Sequence, residues 1–350
     1  MTYRVIQWST GNVGACALRA IINHPEMELV GVSVYHDSKA GKDAGELCGL
    51  EPVGVKATQD SDALLATEAD CVCYTSDVRI DLMGTIDEIC RILISGKNVV
   101  TSSLLSLVYP GALGPEIQGK FESACKEGGV SLLVSGIDPG FANSTLPLIL
   151  SGMSERWESI RIQEIVNYAT YNQPGILFET MGFGKPLDTL PPILTPGALT
   201  FYCGGPVQLM AEGLGVEVEE LREVHERMPA PADLQTPAGI IKEGMSAALR
   251  FEVQGIIGGQ PVLVAEHVTR MHDSIAPDWP QGHGYRLIIE GRPRMICAFD
   301  FEDEHGDTAV GGVILTATRI VNAIPAVCSA PPGFISELDL PLITGRGLMA

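Results

Sequence analysis

A strand that runs through the turn "STGNVG" into a helix constrains the fold of this chain more than any other stretch. Tyr3–Trp8 is apolar and β-rich, and the residues at 13–22 have helical spacing. A strand, a glycine turn and a helix in immediate succession are typical of the first unit of a doubly wound α/β fold. The sequence therefore predicts a parallel sheet that begins at Tyr3.

The turn resembles the Rossmann fingerprint G-x-G-x-x-G, which binds the pyrophosphate of a dinucleotide. Its six positions are Ser9, Thr10, Gly11, Asn12, Val13 and Gly14. The first glycine is replaced by serine. Gly11 is predicted to let the backbone approach the pyrophosphate, Gly14 to let the helix pack against the strand, and the helix N-terminus to supply N–H donors. All six residues are therefore predicted to bind a cofactor.

Strands and helices alternate through residues 1–136 and then give way to a different pattern. The alternation predicts right-handed βαβ units with helices on both faces of a parallel sheet. We expect a Rossmann domain at 1–140 and an α+β domain with a mixed sheet at 141–311. The apolar helical pattern "GGVILTATRIVNAIPAVC" predicts that 312–350 packs back on the first domain.

Within the second domain, "ALRFEVQGIIGGQPVLVAEHVTRM" predicts a β-hairpin and "GYRLIIEGRPRMICAFDFE" another pair of strands. The stretch "ESIRIQEIVNYATY" alternates like a half-exposed strand. The Pro- and Gly-rich residues 173–197 are predicted to form loops and short helices. The stretch "EVEELREVHERMPAP" is predicted to mix helix with Pro-rich loop.

The charge of the chain limits its partners. There are 23 basic and 43 acidic residues, a net charge of −20, which disfavours nucleic acid and anionic membranes. No uninterrupted apolar run is expected to span a bilayer. The nine cysteines are scattered without a C-x-x-C pair, so we expect reduced, mostly buried thiols and a cytoplasmic protein.

The end of the second strand, "VSVYHDSKAGK", bears on the choice between NAD and NADP. An acidic residue there binds the ribose hydroxyls in NAD enzymes, but Val34 and Tyr35 occupy the place. Candidates for holding a 2′-phosphate are His36, Ser38, Lys39 and Lys42. Asp37 argues for NAD. The balance favours NADP, with NAD as the alternative.

The motifs "STGNVG", "GKNVVT", "SGIDPGF", "APDWP" and "VNAIPAV" resemble those of the dihydrodipicolinate reductase-like family that includes 2,4-diaminopentanoate dehydrogenase and the native amine dehydrogenases. The resemblance covers essentially the whole chain. It implies a Rossmann domain with NADP or NAD, an α+β substrate domain and a homodimer formed through that domain. The E-x-H-H-x-x-K-x-D-x-P-S-G-T run of dihydrodipicolinate reductase itself does not occur.

One loop departs from the pattern of the amine-forming relatives. They resemble "S-C-E-E-L-x-Y-P" after the fifth strand, with a Glu that handles a proton, whereas this chain has "TSSLLSLVYP". Alignment on Tyr109 and Pro110 places Leu105 and Ser106 at the Glu positions. A leucine is not a general base, and Ser106 needs a partner to become one. The resemblance therefore leaves the proton donor unassigned.

Several other side chains are candidates for chemistry. The predicted catalytic residues are Tyr168, Tyr171, Asp138 and Ser106. Either tyrosine hydroxyl is suited to polarise a carbonyl, although both also fit a packing role. Ser76 and Ser102, which follow predicted strands, are candidates for binding the cofactor. Pro139 and Gly140 resemble the D-P-G turn that lies beside the nicotinamide in saccharopine reductase. His267 and His272 lack a metal-site spacing, and no metal is predicted.

Three functions fit these residues. The first is an NADP-dependent oxidoreductase that reduces a C=O or C=N bond of a small, fairly apolar substrate by hydride transfer. Scarce Arg near the predicted pocket disfavours a dicarboxylate. The second is an amine dehydrogenase that takes ammonia as co-substrate. The third is a non-catalytic NADP-binding regulator.

Overall fold

A computed structural model describes residues 2–77 and 81–349. By their contacts, these residues form two units, one of 1–141 with 313–350 and one of 142–312. The strands are β1 (Tyr3–Trp8), β2 (Met27–Ser33), β3 (Ala57–Thr58), β4 (Cys71–Tyr74), β5 (Asn98–Thr101), β6 (Ser131–Val134), β7 (Arg156–Asn167), β8 (Glu220–Pro229), β9 (Leu234–Thr236), β10 (Gly239–Ile241), β11 (Ser246–Ile257), β12 (Gln260–Arg270), β13 (Gly284–Arg292), β14 (Met295–Phe299) and β15 (Gly333–Ile335).

The helices are α1 (Asn12–Asn23), α2 (Ala44–Leu47), α3 (Ser61–Ala66), α4 (Leu82–Ile94), α5 (Gly114–Gly128), α6 (Leu146–Ser151), α7 (Ala198–Leu214) and α8 (Thr308–Ser329). Short or irregular helical turns lie at Leu105–Val108, Ile137–Thr145, Gly175–Thr180, Pro192–Leu194 and Glu337–Asp339. The described part of the 173–197 segment thus consists of loops and short turns, as its Pro and Gly content predicts.

The first unit is built on a seven-stranded sheet in the order β15-β6-β5-β4-β1-β2-β3. All of its paired strands are parallel. One face buries α4 and α5 through residues such as Ile89 and Phe121, and the other buries α1 and α8 through Ile21 and Ile324. Helices on both faces of a parallel sheet confirm the predicted doubly wound fold.

Helix α8 returns the chain to this sheet after the second unit. By length and composition alone it is a candidate membrane span, but Arg319 and Asn322 interrupt its apolar run. Ala317, Ile320, Val321, Ala323, Ile324 and Val327 are nevertheless all buried in the sheet core. The apolar stripe is therefore accounted for by packing within the first unit.

The second unit is built on a mixed sheet in the order β14-β13-β7-β12-β11-β8. Strands β7 and β12 pair in parallel, and the other neighbours are antiparallel. The two predicted strand pairs are confirmed as β11–β12 and β13–β14. The predicted fold class, a Rossmann-type domain followed by a domain with a mixed sheet, is therefore confirmed.

The stretch predicted as helix and loop, "EVEELREVHERMPAP", was misread. Its residues Glu220–Pro229 form β8, which pairs with β11 over its whole length. Glu, Leu and Arg are good helix formers, but propensity gives way when the backbone can complete a sheet ladder. Charged residues are also common on edge strands, because they prevent pairing with other molecules.

All nine cysteines are free thiols, four buried and five half-buried. Burial raises the pKa of Cys90 to about 11 and that of Cys125 to about 12. Such thiols stay protonated at neutral pH and are poor nucleophiles. These two cysteines therefore belong to the packing of the sheet.

Candidate cofactor and active site

Ser9 takes the place of the first glycine of the turn and adopts that glycine's backbone conformation. Its φ is +73°, in the left-handed region that costs a residue with a Cβ about 1–2 kcal/mol. The amide of Gln7 donates to the Ser9 carbonyl at 2.8 Å, and the Thr75 hydroxyl donates to it at 3.3 Å. These contacts from β1 and from the residue after β4 hold the turn in the strained conformation.

The two glycines that remain serve different purposes. A Cβ on Gly14 would lie 2.4 Å from the Ser9 carbonyl oxygen and 2.7 Å from Thr75 Oγ1, so the protein itself requires glycine there. Gly11 has a φ of −69°, and a Cβ built on it meets nothing within 4 Å. Neither backbone conformation nor packing within the chain therefore requires glycine at position 11. The absence of a side chain there leaves open space over the turn.

The N-terminus of α1 has the features of an anion site. Gly11 is its N-cap, no side chain caps it, and its first turn contains no acidic residue. The first N–H groups of a helix lack intrahelical partners and carry partial positive charge. The turn therefore has both the space and the donors that a pyrophosphate needs.

The sheet brings the predicted cofactor residues to one edge. Each lies in the segment that follows the carboxyl end of a parallel strand: the turn after β1, His36, Ser38 and Lys39 after β2, Ser76 after β4, Ser102 after β5, and Pro139 and Gly140 after β6. The chain order reverses between β1 and β4, so this edge contains the topological switch point where such sheets bind ligands. Individual contacts to a cofactor remain predictions.

A hydroxyl network at this edge was not foreseen from the sequence. Tyr35 Oη lies 2.9 Å from Ser76 Oγ and donates to Glu88 of α4 at 2.8 Å, and Trp8 Nε1 donates to it at 3.2 Å. Tyr74 donates to the same Glu88 carboxylate at 2.6 Å. Burial raises the pKa of Tyr35, so the phenol remains a donor. The network fixes Tyr35 where many NAD enzymes have an acidic residue.

The residues predicted to hold a 2′-phosphate differ in their placement. His36 and Ser38 are exposed, as is Asp37. Lys39 is half-buried and reaches the glycine turn, where Nζ donates to the Thr10 carbonyl at 2.6 Å and to Thr10 Oγ1 at 3.1 Å. The charged Lys39 side-chain amine is therefore held beside the turn by its hydrogen bonds to Thr10.

The loop after β6 is anchored from the C-terminal segment. The bond between Asp138 and Pro139 is cis, and Gly140 has a φ of +143°. Ser135 donates to the buried Glu337 carboxylate at 2.5 Å, and Arg319 of α8 pairs with the same carboxylate. The Arg319 guanidinium also lies 5.1 Å from the centre of the Phe141 ring.

The loop after β5 carries the departure from the amine-forming pattern. Leu105 is 40% exposed, whereas Ser106 next to it is buried in the short turn Leu105–Val108. Ser102 is half-buried. The exposed position thus has an apolar side chain, and the loop presents no carboxylate at either aligned position.

The second unit contains a polar cluster that includes a residue missed by sequence reasoning. Glu164 of β7 and His267 of β12 lie opposite one another, with Oε2 and Nδ1 2.5 Å apart. Tyr168 has its ring centre 6.2 Å from that of His267 and 4.7 Å from that of Tyr171. The predicted Tyr168 and Tyr171 are therefore neighbours of a carboxylate–imidazole pair.

The pairing of Glu164 with His267 has no local sequence signal, because 103 residues separate them. The spacing of His267 and His272 bears only on a metal site, which it disfavours. Across residues 2–77 and 81–349, no group of three His, Cys, Asp or Glu side chains is placed to hold a metal ion.

The parallel sheet and the glycine turn together are typical of a dinucleotide-binding domain. The C-terminal domain of 2,4-diaminopentanoate dehydrogenase matches residues 141–349, and the N-terminal domain of dihydrodipicolinate reductase matches residues 5–89. The chain belongs to the family of 2,4-diaminopentanoate dehydrogenase and the amine dehydrogenases, as its motifs predict.

Two relatives match along nearly their whole length. An amine dehydrogenase from Streptomyces virginiae is 42% identical over 346 residues, covering 96% of both chains. A 2,4-diaminopentanoate dehydrogenase from Acetoanaerobium sticklandii is 25% identical, covering 97% of this chain and 93% of its own.

A solved structure shares the fold. The amine dehydrogenase from Mycobacterium smegmatis matches with a TM-score of 0.82 at 20% identity, covering 99% of this chain and 98% of its own. The chain is thus an oxidoreductase of the dehydrogenase type, and its Rossmann-type fold indicates a nicotinamide cofactor.

Proposed function

We propose that this protein is an NADP-dependent amine dehydrogenase, which converts a small, fairly apolar ketone or aldehyde and ammonia into an amine. The observation that carries the proposal is the 42% identity, over almost the full length of both chains, to a protein described as an amine dehydrogenase. When bound, the nicotinamide supplies the hydride that reduces the C=N bond. Gly11 and the N-terminus of α1 would hold its pyrophosphate, and the loop after β6 would lie beside its ring.

The preference for NADP is supported by the residues after β2. Val34 and Tyr35 leave no carboxylate to repel a 2′-phosphate, and Lys39 places an ammonium beside the glycine turn. Charge-assisted hydrogen bonds to phosphate are among the strongest polar contacts in proteins. NAD remains the alternative that Asp37 favours.

Lys39→Ala is expected to raise the KM for NADPH about tenfold or more and to change that for NADH less than about twofold, since a hydrogen bond to a charged group contributes about 1.5–3 kcal/mol. Steady-state kinetics with both cofactors measure the ratio. The exposed Lys56 provides a matched control, because Lys56→Ala should leave both constants unchanged. Equal effects of Lys39→Ala on the two cofactors would contradict the assignment.

The reaction itself is tested by NADPH oxidation over a panel of aldehydes and ketones, each with and without high ammonium. We expect turnover that requires ammonium. Turnover without ammonium would instead identify a carbonyl reductase, the function that the absent loop glutamate favours. NADPH binding without turnover in either arm would favour the non-catalytic regulator.

We also propose a homodimer formed through the second unit, as the family resemblance implies. One face of its sheet, opposite the face on which Gly255 packs against α7, carries the exposed apolar side chains Val224, Met228 and Ile296. Light scattering should give twice the 37.3 kDa of one chain.

The same face of the sheet carries a buried ion network. Arg161 pairs with Glu252 at 2.7 Å and with Glu266 at 2.5 Å. Burial acts to raise the pKa of Glu252, but Arg161 and Gln254 hold it below its ordinary value. The charges of this network are therefore paired within the chain. The exposed apolar side chains are the part of this face that we expect to contact the second copy.

A further inference from the structure

The amine chemistry proposed above needs a group that removes a proton from ammonium and returns one to the departing oxygen. The amine-forming relatives are expected to use a loop glutamate, and this chain has Leu105 and Ser106 at the aligned positions. If the chain makes amines, the group must lie elsewhere in the molecule.

We propose that Glu164, paired with His267, is the proton-transfer group of the active site. The inference rests on the proposed function. Glu164 Oε2 lies 2.5 Å from His267 Nδ1, and Oε1 accepts a hydrogen bond from Tyr285 Oη at 3.2 Å. Both side chains of the pair retain some access to solvent, 16% for Glu164 and 14% for His267. A carboxylate held from both sides but still accessible is placed to exchange a proton with a bound molecule.

Aromatic side chains surround the pair. The ring of Phe251 stacks on His267 with centres 4.9 Å apart, and Tyr168 and Tyr171 approach from the chain that leaves β7. Aromatic walls around one or two polar groups are typical of sites for small, fairly apolar ligands.

The chemistry of the partner also distinguishes this pair from an ordinary ion pair. On the opposite face of the sheet, Glu266 is matched by the guanidinium groups of Arg161 and Arg250, which do not lose protons. Glu164 is matched by an imidazole, the side chain whose charge changes nearest neutral pH. The Thr269 hydroxyl contacts the other ring nitrogen, Nε2, and holds the ring in place. His267 is thus a positioning residue that orients the Glu164 carboxylate.

The proton balance closes with these groups. Glu164 takes a proton from ammonium, and the ammonia that is released forms a C–N bond with the carbonyl carbon as the C=O π bond breaks. A proton then moves from that nitrogen to the oxygen, which gives the neutral carbinolamine. The protonated Glu164 returns the proton to the hydroxyl of the carbinolamine, whose C–O bond breaks to release water and leave an iminium ion. The iminium carbon then accepts the hydride, and the C=N electron pair moves to nitrogen to give the neutral amine.

The test compares Glu164→Gln, Glu164→Asp and His267→Asn with the wild-type enzyme in amination at saturating NADPH. Glu164→Gln keeps the size of the side chain and one hydrogen-bond acceptor, but the amide cannot take up and release a proton as a carboxylate does. We therefore expect kcat to fall about 100-fold or more. Glu164→Asp should retain more activity than Glu164→Gln. His267→Asn should lower kcat with little change in the KM for the carbonyl substrate, because the Glu164 carboxylate loses the contact that orients it. Glu158→Gln, the same substitution at an exposed position of β7, is the matched control and should stay within twofold.

Thermal unfolding and NADPH titration accompany the kinetics, and both should be unchanged in Glu164→Gln. The proposal would be overturned if Glu164→Gln kept activity within fivefold, if Glu164→Asp lost as much as Glu164→Gln, or if kcat fell only together with stability. Failure of the proposed function has a different signature, since the wild-type enzyme itself would then show no turnover that depends on ammonium.

Discussion

Gly11→Val should abolish NADP binding while the protein remains folded. A Cβ at position 11 meets no protein atom within 4 Å, so the new side chain should cost at most the poorer N-cap of α1 while it fills the place assigned to the pyrophosphate. We expect the Kd for NADPH to rise by about 100-fold or more, as measured by fluorescence titration. The melting temperature of Gly11→Val should lie within a few degrees of that of the wild-type protein.

Gly14 provides the contrasting substitution. Its Cβ would meet the Ser9 carbonyl and Thr75 at 2.4 and 2.7 Å, so Gly14→Ala should destabilise the protein by about 1–3 kcal/mol whether or not cofactor is present. Ser9→Gly is the matched control, because it keeps the turn and removes the cost of its left-handed residue. Equal losses of stability in Gly11→Val and Gly14→Ala would refute the division of roles between the two glycines.

The second large expected effect is on stability. Removal of the buried Glu337 carboxylate should strongly lower the free energy of unfolding. Its carboxylate is 3% exposed and accepts hydrogen bonds from Arg319 and Ser135. Glu337→Ala leaves the Arg319 guanidinium buried without its carboxylate, and breaking such a pair costs about 3–5 kcal/mol. Urea denaturation followed by far-UV circular dichroism measures the loss.

The exposed pair of Arg91 and Asp62 calibrates this experiment. Asp62→Asn should cost less than about 1 kcal/mol, because solvent screens exposed ion pairs. A loss below 1 kcal/mol in Glu337→Ala as well would show that the pair does not anchor the loop after β6. A loss of 3 kcal/mol with restored stability in the double variant Arg319→Met, Glu337→Leu would attribute the cost to the orphaned charge.

The parts of the fold that sequence reasoning predicted are those with local periodicity. The strand, glycine turn and helix at the start, and the hairpin of β11 and β12, are each specified by residues close together in the chain. The strand β8 was misread because its charged residues suit a helix, and only the pairing with β11 decides its conformation. A local pattern cannot report a partner strand whose paired residues lie 17–36 positions away.

The candidate site divides in the same way. Gly11 and Gly14 were readable from spacing, but the requirement at Gly14 depends on Thr75, which the sheet brings from β4. Ser9 gave no sign of a left-handed backbone, since the Thr75 hydroxyl that contacts its carbonyl comes from the residue after β4, 66 residues away. The pairing of Glu164 with His267 depends on the parallel register of β7 and β12, which no sequence window contains.

The position of β15 has a consequence for synthesis on the ribosome. The sheet of the first unit is completed by residues 333–335, which pair with β6 only after 142–312 have been made. The inserted unit has all its strands as soon as β14 has left the ribosome. The first unit still lacks β15 at that stage, so the β6 edge of its sheet is unpaired. Nascent chains should therefore acquire a protease-resistant second unit before the nucleotide-binding half closes.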